Sequence, residues 1–184
     1  MKKLRYEFIF LLSLIPIIFS CTSNKSNHGV YDYISENIMA DAHSVIMEAT
    51  GSCSTEIKIL KTYGETQNPF TGKSYFRDYV SYPYYSIRKV CSALDGVIVR
   101  IDLPKDNQGI ANYSITVKTD DLEIEYFGYM KINPELAVGD RIEKGTYLAT
   151  MLGGGDSGMV LNIRMRYKGD VIDPTPFFPS YDNE

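Results

Sequence analysis

The sequence contains few histidines and has no excess of basic residues. Its 184 residues include 2 His, 3 Cys and no Trp. Both histidines, His28 and His43, precede residue 50, so residues 51–184 have no imidazole for a metal, a proton relay or the activation of a nucleophile. The formal net charge is −4, which leaves no basic surplus to neutralise phosphates. These features argue against nucleic-acid binding and against histidine chemistry in most of the chain.

Residues 1–20 are predicted to form a signal peptide. Three basic residues begin the segment: Lys2, Lys3 and Arg5. The apolar run Phe8–Phe19 follows and is too short to span a bilayer comfortably. It ends in Ile18-Phe19-Ser20-Cys21, which resembles the cleavage box of bacterial lipoproteins. The resemblance implies cleavage before Cys21 and attachment of a lipid such as palmitate to its sulfur. A plain signal peptide with an incidental cysteine is the alternative.

The mature N-terminal region is predicted to be a tether followed by a helix. Residues 21–30 are assigned to a lipidated tether, because residues 22–29 are small and polar, as in flexible linkers. Residues 31–66 are assigned to a helix and a connector. Five apolar residues recur there at steps of three and four: Ile34, Ile38, Ala42, Val45 and Ala49. This spacing predicts an amphipathic helix from Tyr31 to Ala49, with Gly51 as a stop signal. The helix could pack on the main domain or hold a partner.

Two cysteines remain once Cys21 is assigned to lipid. Cys53 and Cys91 are a candidate disulfide pair outside the cytosol. On the chain-entropy model such a bond would contribute about 3 to 4 kcal/mol. Two buried free thiols are the alternative.

From about residue 67 the apolar pattern changes from helical spacing to strict alternation. Alternation occurs over Val97–Leu103, Tyr113–Val117, Leu122–Tyr126 and Leu161–Tyr167. The turn at Thr119-Asp120-Asp121 predicts that the second and third of these segments form a hairpin. Many short strands separated by glycine turns favour a mainly β fold, a compact antiparallel sandwich or barrel, with one N-terminal helix.

Several motifs between Asn68 and Phe178 resemble those of the lysostaphin-type (LytM-type) zinc peptidoglycan endopeptidases. The similar segments are Asn68–Lys73, Leu94–Ile98, Ala111–Tyr113, Val138–Gly145 and Ile172–Pro174. Val138–Gly145 is close to that family's Val-Gly-Asp-x-Val-x-x-Gly segment. The resemblance implies a domain over residues 67–184 with the lysostaphin-type fold, a duplicated hybrid motif.

The five zinc-binding and catalytic side chains of that family are replaced in this sequence. Arg77 and Ser81 occupy the positions of its His-x-x-x-Asp ligands. Val160 and Asn162 occupy those of its His-x-His strand, and Gly128 that of its remaining catalytic histidine. A catalytic zinc site needs three protein ligands and an open position, and a guanidinium would repel the metal. The resemblance therefore implies a degenerate, inactive member that takes no cofactor.

The replaced site retains residues that could bind a ligand. The candidate groove residues are Arg77, Tyr79, Tyr82, Tyr85 and Arg164. Tyrosine rings can stack on sugars, and arginine can form two parallel hydrogen bonds with a carboxylate. The alternative is that tyrosines fill the space of the lost metal site and close the groove, with Arg77 paired internally with Asp78 or Asp95.

These observations predict a non-catalytic lipoprotein of the bacterial cell envelope. We expect it to be extracytoplasmic, anchored to a membrane by its N-terminal lipid, and to bind peptidoglycan or a wall hydrolase rather than nucleic acid. The alternatives are an active wall metallopeptidase with relocated ligands, and an adaptor in an envelope transport or assembly complex.

Overall fold

The computed structural model describes residues 28–37, 56–57, 62–83, 89–103, 113–152, 160–178 and 181–182. These residues form helix α1 (His28–Asn37) and fourteen strands. The strands are β1 (Glu56–Ile57), β2 (Gly64–Gln67), β3 (Ser74–Arg77), β4 (Val80–Pro83), β5 (Lys89–Cys91), β6 (Gly96–Asp102), β7 (Tyr113–Thr119), β8 (Leu122–Gly128), β9 (Met130–Ile132), β10 (Arg141–Ile142), β11 (Tyr147–Met151), β12 (Val160–Tyr167), β13 (Asp170–Ile172) and β14 (Tyr181–Asp182). The prediction of a mainly β fold with one N-terminal helix is confirmed for these residues.

The largest sheet has seven antiparallel strands. Its order is β10-β6-β7-β8-β12-β13, and β4 also pairs with β12. β4 lies beside the first half of β12 and β13 beside the second half, so both share one edge of that strand. Over the described residues this sheet stays open. The antiparallel prediction is therefore confirmed, and the closed-barrel alternative is wrong.

The seven-stranded sheet has one apolar and one polar face, because alternate residues of a strand point to opposite sides. One cross-strand row is Ile101, Ile115, Tyr126, Ile163 and Val80, and most of these side chains are fully buried. The opposite side is named here the polar face. It comprises Arg100, Asp102, Ser114, Thr116, Glu125, Phe127, Asn162, Arg164 and Ser81.

A smaller sheet completes the core. Its order is β5-β11-β9, and its side chains Val90, Met130 and Leu148 belong to the same buried cluster as the apolar face of the large sheet. The two sheets therefore bury one shared hydrophobic core, as in a sandwich.

Strand β6 departs from the simple alternation in its sequence. A bulge shifts its register between Ile98 and Arg100. Ile98 is fully buried, whereas Val99 is 39% exposed and Leu103 lies beyond the end of the strand. An extra residue in a strand reverses which side chains face the core after it. The interval between buried residues is therefore three here, from Ile98 to the half-buried Ile101.

Helix α1 begins at His28, inside the segment predicted to be a tether. Ile34 is fully buried in the core cluster. The Tyr31 ring contacts Phe177 at 5.7 Å, and its hydroxyl oxygen accepts a hydrogen bond from the Asp173 backbone N–H. These contacts favour the interpretation that the helix packs on the domain. The predicted continuation to Ala49 lies outside the described residues, and no described helix is long and apolar enough to cross a bilayer.

Cys91 in β5 is buried and forms no disulfide with another described residue. Burial raises the pKa of this thiol, and the nearby Lys89 opposes the shift. Such a thiol is less reactive than an exposed one because it forms less thiolate. Cys53, its predicted disulfide partner, lies outside the described residues, as do Cys21 and the predicted signal peptide. The pairing and the lipid anchor therefore stay predictions.

Candidate functional site

Two of the five replaced positions are direct cross-strand neighbours on the polar face. Ser81 in β4 is paired with Asn162 in β12. The Ser81 hydroxyl donates to Asn162 Oδ1 at 2.7 Å, and Asn162 Nδ2 donates to the Phe127 carbonyl at 3.3 Å. Both side chains are buried. The strand pairing therefore brings two positions that match ligands of the resembled family together, and their polar atoms bond to each other and to the Phe127 carbonyl.

Arg77 lies at the end of β3, and its guanidinium is enclosed by aromatic rings. Its Nη2 donates to the Tyr75 hydroxyl at 2.5 Å and its Nη1 to the Thr62 carbonyl at 3.4 Å. The guanidinium carbon lies 5.4 Å from the centre of the Tyr75 ring and 5.8 Å from that of Tyr79. The Nε atom is buried without a hydrogen-bond partner. The guanidinium is therefore held mainly by cation–π contacts with the two tyrosine rings.

The two internal partners that the sequence suggested for Arg77 bind elsewhere. Both carboxylate oxygens of Asp78 lie 2.9 Å from nitrogens of Arg164. Asp95 Oδ1 accepts a hydrogen bond from the Lys144 backbone N–H at 2.7 Å. The prediction that Arg77 closes the site by pairing with Asp78 or Asp95 is therefore wrong, because both carboxylates bind other groups.

Gly128 does not lie on the polar face. It is paired with Leu161 on one side and Tyr113 on the other, in the row that follows the buried Tyr126 row on the apolar face. A Cβ atom built on Gly128 would lie 2.5 Å from the Val160 carbonyl oxygen. Val160 itself is half-buried and paired with Pro83 at the start of β12. The backbone at position 128 thus leaves no room for the side chain that the resembled family has there.

A network of charged side chains crosses the polar face. Glu125 is central: its carboxylate lies 2.9 Å from Arg100, 2.7 Å from Arg164 and 3.4 Å from Arg166. Arg100 also contacts Asp102 at 3.0 Å. Burial alone would lower the pKa of Arg164, but its hydrogen bonds to carboxylates outweigh that effect and hold the pKa above its ordinary value. The network links β6, β8 and β12 through side chains.

Three of the predicted groove residues meet around one tyrosine. Tyr79 contacts the Phe127 ring edge-on at 5.2 Å, and the guanidinium of Arg164 lies 5.9 Å from the Tyr79 centre. With the Arg77 contact described above, Tyr79 contacts two guanidinium groups. Arg77, Tyr79 and Arg164 are therefore close together, and their role as a ligand groove stays a prediction.

Tyr82 is wrongly assigned to the groove. Its side chain is buried on the apolar face, and its hydroxyl donates to the Phe178 carbonyl. Burial raises the pKa of this hydroxyl far above its ordinary value. The cause is strand alternation, which places Tyr82 opposite to Ser81. Tyr85 lies outside the described residues.

The residues at this site do not fit a zinc ion. A hydroxyl and a carboxamide that satisfy each other, beside a permanently charged arginine, are not a tetrahedral donor set. Across the described ranges, no group of three or more His, Cys, Asp or Glu side chains is arranged to hold a metal.

The sequence reasoning missed the charged network centred on Glu125. A signal was present, because charged residues alternate in three segments: Arg100 and Asp102, Glu123 and Glu125, Arg164 and Arg166. Alternating charges in predicted neighbouring strands indicate one polar sheet face. Their pairing could not be read without the register of the sheet.

The comparisons with known proteins bear on the fold. No protein-family model and no curated protein sequence matches the chain. Among solved structures, a zinc-containing peptidase from Vibrio cholerae aligns with a TM-score of 0.51 and 14% identity, over 65% of this chain and 36% of that one. The antimicrobial peptidase lysostaphin from Staphylococcus simulans aligns with a TM-score of 0.49 and 20% identity, over 67% of this chain and 50% of that one. A chain of the SpoIIQ-SpoIIIAH pore-forming complex aligns with a TM-score of 0.48 and 16% identity, over 66% of this chain and 83% of that one.

These similarities concern the fold alone. The chain spans about a third of the length of the Vibrio cholerae peptidase and half that of lysostaphin. The lysostaphin-type fold predicted from the motifs is confirmed. Activity does not follow from it, because function depends on the site.

Proposed function

We propose that this chain is a non-catalytic lipoprotein of the bacterial cell envelope whose peptidase-like domain binds peptidoglycan. The observation that carries the proposal is the hydrogen bond between Ser81 and Asn162, 2.7 Å long, at two former ligand positions. It leaves the fold of a wall peptidase without donors for the metal. Binding to the polymer on which the resembled family acts needs no metal, so it can persist when hydrolysis is lost.

Loss of the reaction follows from the chemistry of the donor set. The resembled family uses a zinc-bound water that three protein ligands leave accessible. Arg77 carries a permanent positive charge, and the neutral Ser81 and Asn162 side chains are already paired. No other described residues supply a replacement metal site. This supports a binding role over an active peptidase with relocated ligands.

The covalent path from the predicted lipid to the domain is short. Cys21 precedes the first residue of α1, His28, and a fully extended chain between these residues spans about 25 Å at most. Because α1 packs on the domain, a lipid on Cys21 would hold the domain close to the membrane surface. The proposal therefore places binding in the wall layers nearest that membrane.

The proposed binding is tested by sedimentation with purified sacculi. We expect the full chain, solubilised in mild detergent, to co-sediment with sacculi, to release no peptide fragments from them, and to contain far less than one equivalent of zinc. One tightly held equivalent of zinc together with fragment release would establish the active peptidase instead. Failure to sediment would refute wall binding.

The anchor is tested by replacing Cys21 with alanine. Because the lipid requires the cysteine sulfur, we expect Cys21→Ala to abolish labelling by a fatty-acid analogue and to leave uncleaved precursor or soluble protein. Cys53→Ala is the matched control and should keep the label. Mature, membrane-bound Cys21→Ala protein would show that the anchor assignment is wrong.

A protein partner is the second candidate, and the hairpin of β2 and β3 favours it. Phe70 at its tip is 95% exposed and Phe76 is 58% exposed. Exposed aromatic side chains on a projecting element are common in protein interfaces. Capture of a wall hydrolase or an envelope complex by the full chain, with no retention on sacculi, would favour this candidate.

A further inference from the structure

The charged network of the polar face is balanced within itself. It contains three guanidinium groups, from Arg100, Arg164 and Arg166, and three carboxylates, from Asp78, Asp102 and Glu125. Every member contacts at least one group of opposite charge. These residues therefore have no surplus charge with which to bind an ion.

Arg77 is a fourth guanidinium and lies outside this balance. It is 7% exposed, and its described contacts are a hydroxyl, a carbonyl and two tyrosine rings, with no carboxylate among them. Its Nε is buried without an acceptor. A buried charge is unfavourable unless it is paired, and an unsatisfied donor calls for an explanation. An anion with oxygen acceptors would supply both the counter-charge and the acceptor.

The two rings beside Arg77 differ in accessibility. Tyr75 is among the exposed large side chains, whereas Tyr79 is half-buried and contacts both Arg77 and Arg164. The Tyr75 hydroxyl is also the nearest acceptor of the guanidinium, at 2.5 Å. Rotation of this one exposed side chain would uncover Nη2 and bring the adjacent Nε within reach of a ligand.

From these contacts we infer that Arg77 is the recognition site for the carboxylate of a peptide, which binds in place of the Tyr75 hydroxyl. A planar carboxylate can accept from Nε and Nη2 together, in the bidentate geometry that guanidinium favours. The single positive charge of Arg77 matches a monoanion, whereas a phosphate dianion would exceed it. The aromatic rings would line the path of the adjoining peptide. This inference deepens the proposed function and rests on it only for the source of the peptide, the peptidoglycan stem.

The test compares two small probes with the full-length chain in detergent. The probes are N-acetyl-alanyl-alanine and its C-terminal amide, which differ only in the carboxylate. We expect the free acid to bind at least 10-fold more tightly than the amide and to shift the Nε–H resonance of Arg77 in NMR spectra. Equal affinity for the two probes, or an unmoved resonance, would overturn the inference without any mutation.

Substitutions of single arginines test whether Arg77 causes the preference for the free acid. Arg77→Gln should weaken binding of the free acid at least 10-fold and leave the weak amide binding unchanged. Arg77→Lys keeps the positive charge but cannot donate two parallel hydrogen bonds, so its affinity for the free acid should lie between those of the wild type and Arg77→Gln. The matched control is Arg166→Gln, which removes a guanidinium contacting Glu125 at 3.4 Å and should stay within twofold of the wild type. If Arg77→Gln lowers the melting temperature and leaves acid binding unaltered, Arg77 is a structural plug and the inference fails.

Failure of the inference differs from failure of the proposed function. Sacculus binding that survives in Arg77→Gln, with no acid preference in the wild type, would refute the Arg77 site and keep wall binding. An acid preference lost in Arg77→Gln, in a chain that does not sediment with sacculi, would keep the site and refute peptidoglycan as its source.

Discussion

Replacing Glu125 with glutamine is expected to lower the free energy of unfolding by about 3 kcal/mol, the lower end of the range for breaking a buried ion pair. Glu125 is 6% exposed and contacts three guanidinium groups. An amide removes the negative charge and leaves Arg164 with only Asp78 as a counter-ion. The lower end applies because Arg100 is partly exposed, so water screens its contact. Thermal or chemical unfolding of the variant measures the loss.

Glu123 provides the matched control for this experiment. It lies two residues away in the same strand and pairs with Lys118 at 3.0 Å, but both side chains are partly exposed. Surface pairs contribute about 0 to 1 kcal/mol. Glu123→Gln should therefore change stability little. Equal effects of the two substitutions would contradict the central role of Glu125 in the polar face.

Strand positions were predictable where the sequence period alone decides them. Tyr113–Thr119 and Leu122–Gly128 form the predicted hairpin, joined by a tight turn in which Asp120 has φ 44°. Lys168 and Gly169 likewise have positive φ at the turn after β12. Local residue chemistry fixes such turns, because short polar residues and glycine tolerate that backbone region.

The face of a side chain was less predictable than its strand. In β6, the bulge changes which residues face the core, and no local signal in the sequence marks it. In β4, alternation alone would have separated Tyr82 from Ser81, but the density of tyrosines suggested a groove wall. Composition does not distinguish the two faces of a strand.

The site itself depended on contacts between distant residues. The motif positions indicated which side chains differ from those of the resembled family, and the pairing of Ser81 with Asn162 follows from their places in neighbouring strands. The network around Glu125 instead requires the register of β6, β7, β8 and β12 together. Long-range register is set by burial of the whole apolar face, so single segments do not reveal it.

The second large effect is expected at Gly128, the position of the family's remaining catalytic histidine. Replacing it with alanine should lower the free energy of unfolding by about 3 kcal/mol, the upper end of the usual range for overpacking. The new Cβ would lie 2.5 Å from the Val160 carbonyl oxygen. That oxygen belongs to the backbone of the adjacent central strand, so it cannot move aside like a flexible side chain. Chemical unfolding measures the change.

Gly29→Ala is the control, because a Cβ there would meet nothing within 4 Å and alanine favours a helix. It should be neutral or slightly stabilising. The comparison tests whether the backbone at position 128 can accept a side chain. If Gly128→Ala is strongly destabilising, the backbone excludes a side chain there, and a histidine placed at position 128 cannot complete a metal site. If Gly128→Ala is as stable as the wild type, the strand can relax around a side chain. The difference from the resembled family's site would then depend on side-chain identity alone, and a variant carrying that family's residues at positions 77, 81, 128, 160 and 162 should bind zinc.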